Sequence, residues 1–288
     1  MADSFSRVVR LGEGLAQTGA LSDAAIERTL AALKVCAERL ERNRVSHIRA
    51  IATEACRHAR NGQVLIERAK AETGIALEIV SSDEEARLAA LGCAPLIGRR
   101  YEGALVFDIG GGSTELIWMR RAEGEMETVF STSVKTGVVT LSETLGANRP
   151  YKEFLDNAMS RFDRVRREMA KAGAFDNTGN HLLGTSGTVT TLAGVAMGLP
   201  RYERRRVDAS WHDCAGMLGI VERIAGLSRA GRASIGCIGE ERADLVLPGC
   251  AIFAAIHAHW PCAELRVADR GLRDGMLREL MAKAEGSK

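Results

Sequence analysis

The chain has 288 residues, a formal net charge of +2, and ordinary apolar content for a globular protein. That length accommodates one or two domains. The near-neutral balance gives no support for a general nucleic-acid-binding surface. Three basic clusters, Arg99-Arg100, Arg164 to Arg167 and Arg204 to Arg206, each read alone as a solvated face.

No signal peptide precedes the first helix, and no segment has the length of a membrane span. Phe253 to Trp260 is apolar, but it is short and carries His257 and His259. The seven cysteines show no CxxC or zinc spacing. Cys36, Cys93, Cys214 and Cys250 sit in apolar surroundings and read as reduced core residues, so a cytoplasmic protein is expected.

In chain order, Ser22 reads as the N-cap of a helix carrying Ile26, Leu30, Leu33, Ala37 and Leu40 on one face. Val45 to Ala52 reads as a buried strand, followed by a short helix and a second helix over Gln63 to Glu72. Leu77 to Val80 is a strand and Glu84 to Leu91 begins a helix. This alternation argues for an α/β layer. A boundary is expected around Gly98 to Gly103. Beyond it come a hairpin, a helix bearing Phe154, Phe162, Val165 and Met169, and a strand over His181 to Leu183. The last third is mostly helical, with a strand over Leu265 to Ala268 and a final helix from Gly271 to Ala284.

The most informative stretch runs from Leu105 to Trp118. An apolar strand ends on Asp108. Gly110, Gly111 and Gly112 follow, then Ser113, Thr114, Glu115 and a second apolar strand. Glycines let backbone N–H groups converge on an anion, and the hydroxyls add donors. Asp108 and Glu115 would repel a bare phosphate, so a bridging Mg²⁺ or another divalent cation is expected.

This run resembles the second phosphate loop of the actin-like ATPases, the acetate kinase–sugar kinase–actin superfamily. Within it, the chain is similar to the exopolyphosphatase/guanosine pentaphosphatase (Ppx/GppA) family. Val9 to Leu15, Ala52 to Arg57, Glu84 to Arg87, and Gly184 to Thr188 agree in order. The resemblance implies an α/β, ribonuclease H-like fold of two domains with a cleft between them. Residues 1–99 would be the remainder of the N-terminal domain, and residues 100–288 the C-terminal domain with the loop. Related chains begin with another strand and an Asp-x-Gly-x-Asn loop. Here the sequence opens at Met1-Ala2-Asp3-Ser4, already inside what reads as a later strand. The first domain is therefore expected to be N-terminally incomplete, with an unpaired sheet edge.

The resemblance also assigns roles. Glu85, the second glutamate of its run, maps to the proposed catalytic base, with Glu84 a neighbour. Ser81-Ser82 stands where the family has Ser-Gly, which would matter if the turn needs positive φ. Thr53 and Arg57 map to phosphate binding. Gly184, Thr185, Ser186, Gly187 and Thr188 follow a strand and open a helix, whose first turn favours anions. Arg270 or Arg273 could touch a polyanion or make a salt bridge. No nucleotide cofactor is assigned.

The expected activity is metal-dependent hydrolysis of a phosphoanhydride, releasing orthophosphate from inorganic polyphosphate. A guanosine pentaphosphate (pppGpp) phosphohydrolase shares every motif. A non-catalytic binder of polyphosphate or (p)ppGpp is the rival from another class. A sugar or acetate kinase fits the Thr53/Arg57 and Glu84-Glu85 segments less well. Neither a nucleic-acid polymer nor a membrane is an expected partner, and a homodimer is left open.

Overall fold

The computed structural model describes residues 5, 7–146 and 149–286. They divide into two compact units, Met1–Glu85 with Leu280–Lys288, and Ala86–Glu279. The chain passes from one unit to the other within the Ser82–Cys93 helix and again within the Leu272–Gly286 helix. The stretch expected as a boundary, Gly98 to Gly103, lies inside the larger unit. It is no linker: Leu96 and Ile97 are buried, and the Gly98 N–H donates to His181.

In the smaller unit, Ser22 caps the Asp23–Arg42 helix by accepting from the Ala25 N–H at 3.2 Å. Ile26 and Leu30 on its inner face pack with Leu21, Cys56, Leu65 and Ala69. Two parallel strands, β1 (Ala50–Ala52) and β2 (Leu77–Ile79), pair with Ile51 opposite Glu78. The strand expected from Val45 is thus shortened to the residues that find a partner in β2. Residues 7–10 are not a strand either; Arg10 at φ 48° breaks the extended path before a turn over residues 11–14.

The larger unit is built on a six-stranded sheet. Its strands are β3 (Gly103–Ile109), β4 (Thr114–Ala122), β5 (Glu125–Val134), β6 (Asn180–Thr185), β7 (Trp211–Asp213) and β8 (Glu264–Val267). The order is β5-β4-β3-β6-β8-β7. β3, β6 and β8 run parallel, and the outer strands antiparallel to their neighbours.

Alternation along the strands gives the sheet two different faces. Leu105, Phe107, Leu116, Trp118, Leu182 and Leu265 face a thick layer that includes Phe154, Phe162, Val165 and Met169. Those four come from the Tyr151–Ala172 helix at the spacing its sequence predicts. The Val246–His259 helix lies in the same layer, buried on nearly all sides. On the other face, Ala104, Val106, Ile117, Leu183 and Ala268 meet Ala86, Ala89, Ala90 and Cys93 of the Ser82–Cys93 helix. Small residues allow close approach there. A Cβ on Gly92 would sit 2.1 Å from the Gly271 carbonyl oxygen, and one on Gly275 2.0 Å from that of Leu88.

All seven cysteines are free thiols, six of them buried. Burial pushes the Cys56 thiol up to about 11, as expected of a reduced core residue. Among the described residues, no helix is long and apolar enough to cross a membrane.

His181, fully buried in β6, lies 4.8 Å from both the Tyr101 and the Trp211 ring centroids. Its Nε2 accepts from the Gly98 N–H at 3.1 Å, so Nδ1, 2.8 Å from the Leu182 carbonyl, carries the ring proton. A second proton would have to face the Gly98 N–H. Burial accordingly pulls the pKa of His181 down to about 4. The unfolded chain therefore binds a proton that the folded chain refuses. The stability contribution is complete above the unfolded value near 6.5 and is lost as pH falls towards 4. We expect thermal melts between pH 7 and 4 to show a loss of about 3 kcal/mol from this group. His181→Gln should start less stable and lose that slope; an unchanged slope would contradict the assignment.

Candidate active site

Register brings the acidic pair of the glycine loop together. Asp108 on β3 is directly opposite Glu115 on β4, and on its other side it is opposite Thr185 on β6. Cross-strand partners project to the same face, so Glu115, Asp108 and Thr185 form one row at the strand ends. Glu115 is 3% exposed, and its Oε1 accepts from the hydroxyls of Ser113 at 2.7 Å and Ser133 at 2.8 Å. These donors offset part of the cost of burying a carboxylate beside a second one.

The loop itself closes through the Gly110 N–H, which donates to the Ser113 carbonyl at 2.9 Å. Its carbonyls are engaged by the first turn of the Val138–Leu145 helix. Val138 N–H donates to Gly110 O at 3.0 Å, Val139 N–H to Gly111 O at 2.9 Å, and the Thr140 hydroxyl to Gly112 O at 3.1 Å. The N–H groups of Gly111, Gly112 and Ser113 donate to no described residue. This contact requires Gly137: a Cβ there would lie 2.3 Å from the Gly111 oxygen and 2.5 Å from the Gly112 nitrogen. Gly137 was not singled out from sequence. Its signal was a glycine directly before an apolar helical run, and only the fold shows which backbone it meets.

The second glycine turn is narrower in function than its sequence suggests. Gly184 is buried inside β6, where a Cβ would sit 2.6 Å from the Phe107 ring. Close packing by itself therefore requires glycine here. The Thr185 hydroxyl donates to the Arg270 carbonyl, and the Thr188 methyl fills space against Gly249. Thr114 is likewise fully buried, its hydroxyl donating to the Thr136 carbonyl at 2.5 Å. These side chains were expected to donate to phosphate; the protein's own carbonyls and core claim them. Gly187 offers its carbonyl to the Arg242 guanidinium at 3.0 Å. Ser186 is different. It opens its helix at φ 90°, a backbone region costly for a non-glycine residue, and its buried Oγ has no partner among the described residues.

Arg270 is held by both Asp208 carboxylate oxygens, at 3.2 and 2.9 Å, within the larger unit. It is therefore a structural ion pair. Tyr202 and Arg204 bind Asp269 nearby.

In the smaller unit, Thr53 is the N-cap residue of the Glu54–His58 helix, without a side-chain cap bond. Arg57 on that helix bonds two carboxylates: Glu54 at 2.7 Å and Glu85 at 3.2 Å. It also donates to the Val80 carbonyl at 2.6 Å. Glu54 was overlooked in the sequence, although its i, i+3 spacing to Arg57 is a pairing signal. Glu84 is paired elsewhere, with Arg49 at 3.0 Å. Ser81 caps the Ser82–Cys93 helix, its hydroxyl accepting from Glu84 N–H and its carbonyl from Glu85 N–H. Neither Ser81 nor Ser82 has positive φ, so the serine in place of glycine costs nothing here.

Among the described residues no cluster of three or more His, Cys, Asp or Glu could enclose a metal ion. Asp108 and Glu115 nevertheless suit Mg²⁺. Both present hard oxygen donors, and two carboxylates side by side on paired strands repel until a cation intervenes. Mg²⁺ binds through one or two carboxylates, completing its shell with water and phosphate oxygens.

Comparison with known proteins identifies the family. A model of the Ppx/GppA phosphatase family matches residues 4–284. "Exopolyphosphatase 2" of Mycobacterium tuberculosis is 32% identical over 253 residues, covering 86% of this chain and 77% of that protein. The Aquifex aeolicus Ppx/GppA family member is 25% identical with a TM-score of 0.76, over 96% of this chain and 88% of that one. An exopolyphosphatase from Cytophaga hutchinsonii, 23% identical, shares the fold at a TM-score of 0.84, over 96% and 88% of the two chains. The fold is the two-domain fold of the actin-like ATPases, and the chain belongs to the Ppx/GppA phosphatase family.

Proposed function

We propose that this chain is a metal-dependent exopolyphosphatase, which hydrolyses the terminal phosphoanhydride of inorganic polyphosphate. The observation that carries this reading is the glycine loop: its glycine carbonyls are bonded to the following helix, the amides of Gly111, Gly112 and Ser113 are not bonded to described residues, and two carboxylates flank it. The N–H groups of Gly111, Gly112 and Ser113, with the Ser186 hydroxyl, bind the phosphate oxygens. Asp108 and Glu115 would hold Mg²⁺. When bound, that ion neutralises charge on the phosphoryl oxygens.

Glu85 accepts the proton of the attacking water. Arg57 is its positioning residue, fixing the carboxylate by two N–H contacts at 3.2 Å. The name of the Mycobacterium relative supports polyphosphate as substrate. Six buried free thiols support a cytoplasmic setting. Phosphate release measured in parallel on polyphosphate and on pppGpp tests the substrate, and a faster rate on pppGpp would overturn it.

Loss of the base should be felt in turnover. Glu85→Gln should lower kcat by roughly 10²–10⁴-fold with a smaller effect on KM. Arg57 keeps Glu54 as a partner in that variant, so thermal stability should change little. Glu84→Gln should lose far less activity. Equal losses at the two positions would remove Glu85 from its role.

Metal dependence is tested at Asp108. Replacing its carboxylate by an amide should raise the Mg²⁺ concentration needed for half-maximal turnover. Full activity of the parent protein in excess chelator would contradict the metal assignment.

The loop's seat gives a third test. Gly137→Ala forces a methyl against backbone atoms, which should cost about 1–3 kcal/mol. The displaced loop should lower kcat by on the order of 10²-fold. Wild-type turnover in a folded Gly137→Ala protein would show that the loop's position is not critical.

A further inference from the structure

Outside the loop region, the larger unit carries a concentration of positive charge. An open hollow of about 490 Å³ is lined by Gly98, Arg99, Arg100, Trp211, Glu264 and Arg266. It lies on the sheet face shared with the Ser82–Cys93 helix, beside the edge strand β7. On that face the alanine-lined core gives way to larger groups. Arg266 on β8 is opposite Trp211 on β7, whose ring lies 4.8 Å from that of His181 on β6. The glycine loop and Ser186 are elsewhere, beyond the C-terminal ends of β3 and β6.

Three guanidiniums meet one carboxylate here. That carboxylate is already engaged: Glu264 accepts from both Arg100 and the Tyr101 hydroxyl. Arg100 and Arg266 lie over the Trp211 ring at 5.2 and 4.9 Å from its centroid. Neither Arg99 nor Arg266 has a carboxylate partner among the described residues, and the Arg266 Nε is buried with no hydrogen-bond acceptor. His181 beside them is neutral above about pH 4 and adds no charge of its own at neutral pH. Burial and the neighbouring Arg270 work against the charge on Arg266, and Asp208 offsets only part of their effect. A buried N–H without an acceptor and two guanidiniums without an ion-pair partner, Arg99 and Arg266, both call for an anion.

We infer that this hollow is a second anion site, taking a phosphate group on Arg99, Arg266 and the free N–H groups of Arg100, against the Trp211 wall. A phosphate fits better than a single carboxylate. Two unpaired guanidiniums match its charge, and its several oxygens match donors that approach from more than one side. The group could belong to a polyphosphate chain or to a small phosphorylated molecule. The site is defined by binding and does not depend on the hydrolytic reading.

Trp211 supplies the test. Trp118 and Trp260 are each 2% exposed, whereas Trp211 is partly exposed, so acrylamide quenching of fluorescence reports on this hollow. The full chain is titrated in excess chelator with orthophosphate, tripolyphosphate and long-chain polyphosphate. Protection of Trp211 from quenching by at least one of them is expected, with binding weakened about tenfold in Arg99→Gln, which is exposed and removes no core contact. Arg99→Glu should abolish it, while Ser186→Ala, remote from the hollow, should leave it unchanged. Protection by orthophosphate or tripolyphosphate alone identifies a site for small phosphorylated molecules. Protection by the long chain alone identifies a rest for polyphosphate. No protection by any of the three, or protection of equal strength in Arg99→Gln and Arg99→Glu, overturns the inference.

Discussion

The glycine loop can present N–H groups to an anion only because its carbonyls are occupied elsewhere. A loop of three glycines is free to turn either its carbonyls or its amides outward. The first turn of the Val138–Leu145 helix decides the matter by donating to Gly110, Gly111 and Gly112. That contact in turn depends on a missing atom, the Cβ of Gly137. The helix end normally offers its own free N–H groups to a ligand. Here they are used to orient a second set, and the polarity of the site is set one step back from the ligand.

Register does the rest. Because β3 pairs with β4 and β6, one residue from each falls in the same row, and the row reads Glu115, Asp108, Thr185. Two of the three carry negative charge in a place where the loop invites another negative group. Hydroxyls from Ser113 and Ser133 moderate Glu115, but they add no positive charge. A divalent cation held there, as proposed, would resolve the conflict. In the smaller unit the charges are balanced differently. Arg57 is shared between Glu54 and Glu85, while Arg49 takes Glu78 and Glu84. Adjacent glutamates at one helix start thereby acquire different partners, which is a physical basis for different roles.

The two faces of the large sheet follow different packing rules. One is covered by aromatic and long aliphatic side chains, including four fully buried phenylalanines. The other is covered by alanines and glycines, with helix backbones in direct contact near Gly92 and Gly275. A thin layer of small residues cannot cover the whole face. Where it ends, towards β7, the sheet presents Arg266, Trp211 and Glu264, and the charged hollow is the consequence.

Much of this was legible in the residues themselves. The periodicity of Phe154, Phe162, Val165 and Met169, the Ser22 cap, and the strands around Asp108 and Glu115 are local patterns, and the structure repeats them. The ordered motifs identified the family, because each encodes a backbone shape that few sequences meet. The fates of individual hydroxyls were not legible. Thr114, Thr185 and Ser186 all look like phosphate donors in sequence, yet two of them serve carbonyls of Thr136 and Arg270. Those carbonyls are 22 and 85 residues away along the chain. The strand expected from Val45 is confined to Ala50–Ala52, since a strand exists only where a partner strand meets it, and the strand expected at Met1–Ser4 lies outside the described residues. Local patterns in the chain mark most of the helices and the residue types able to meet a phosphate. Which of those donors are taken up by the protein's own carbonyls is settled by folding, because a donor's role is set by the nearest acceptor in space, and that acceptor is brought up by pairing and packing between distant segments.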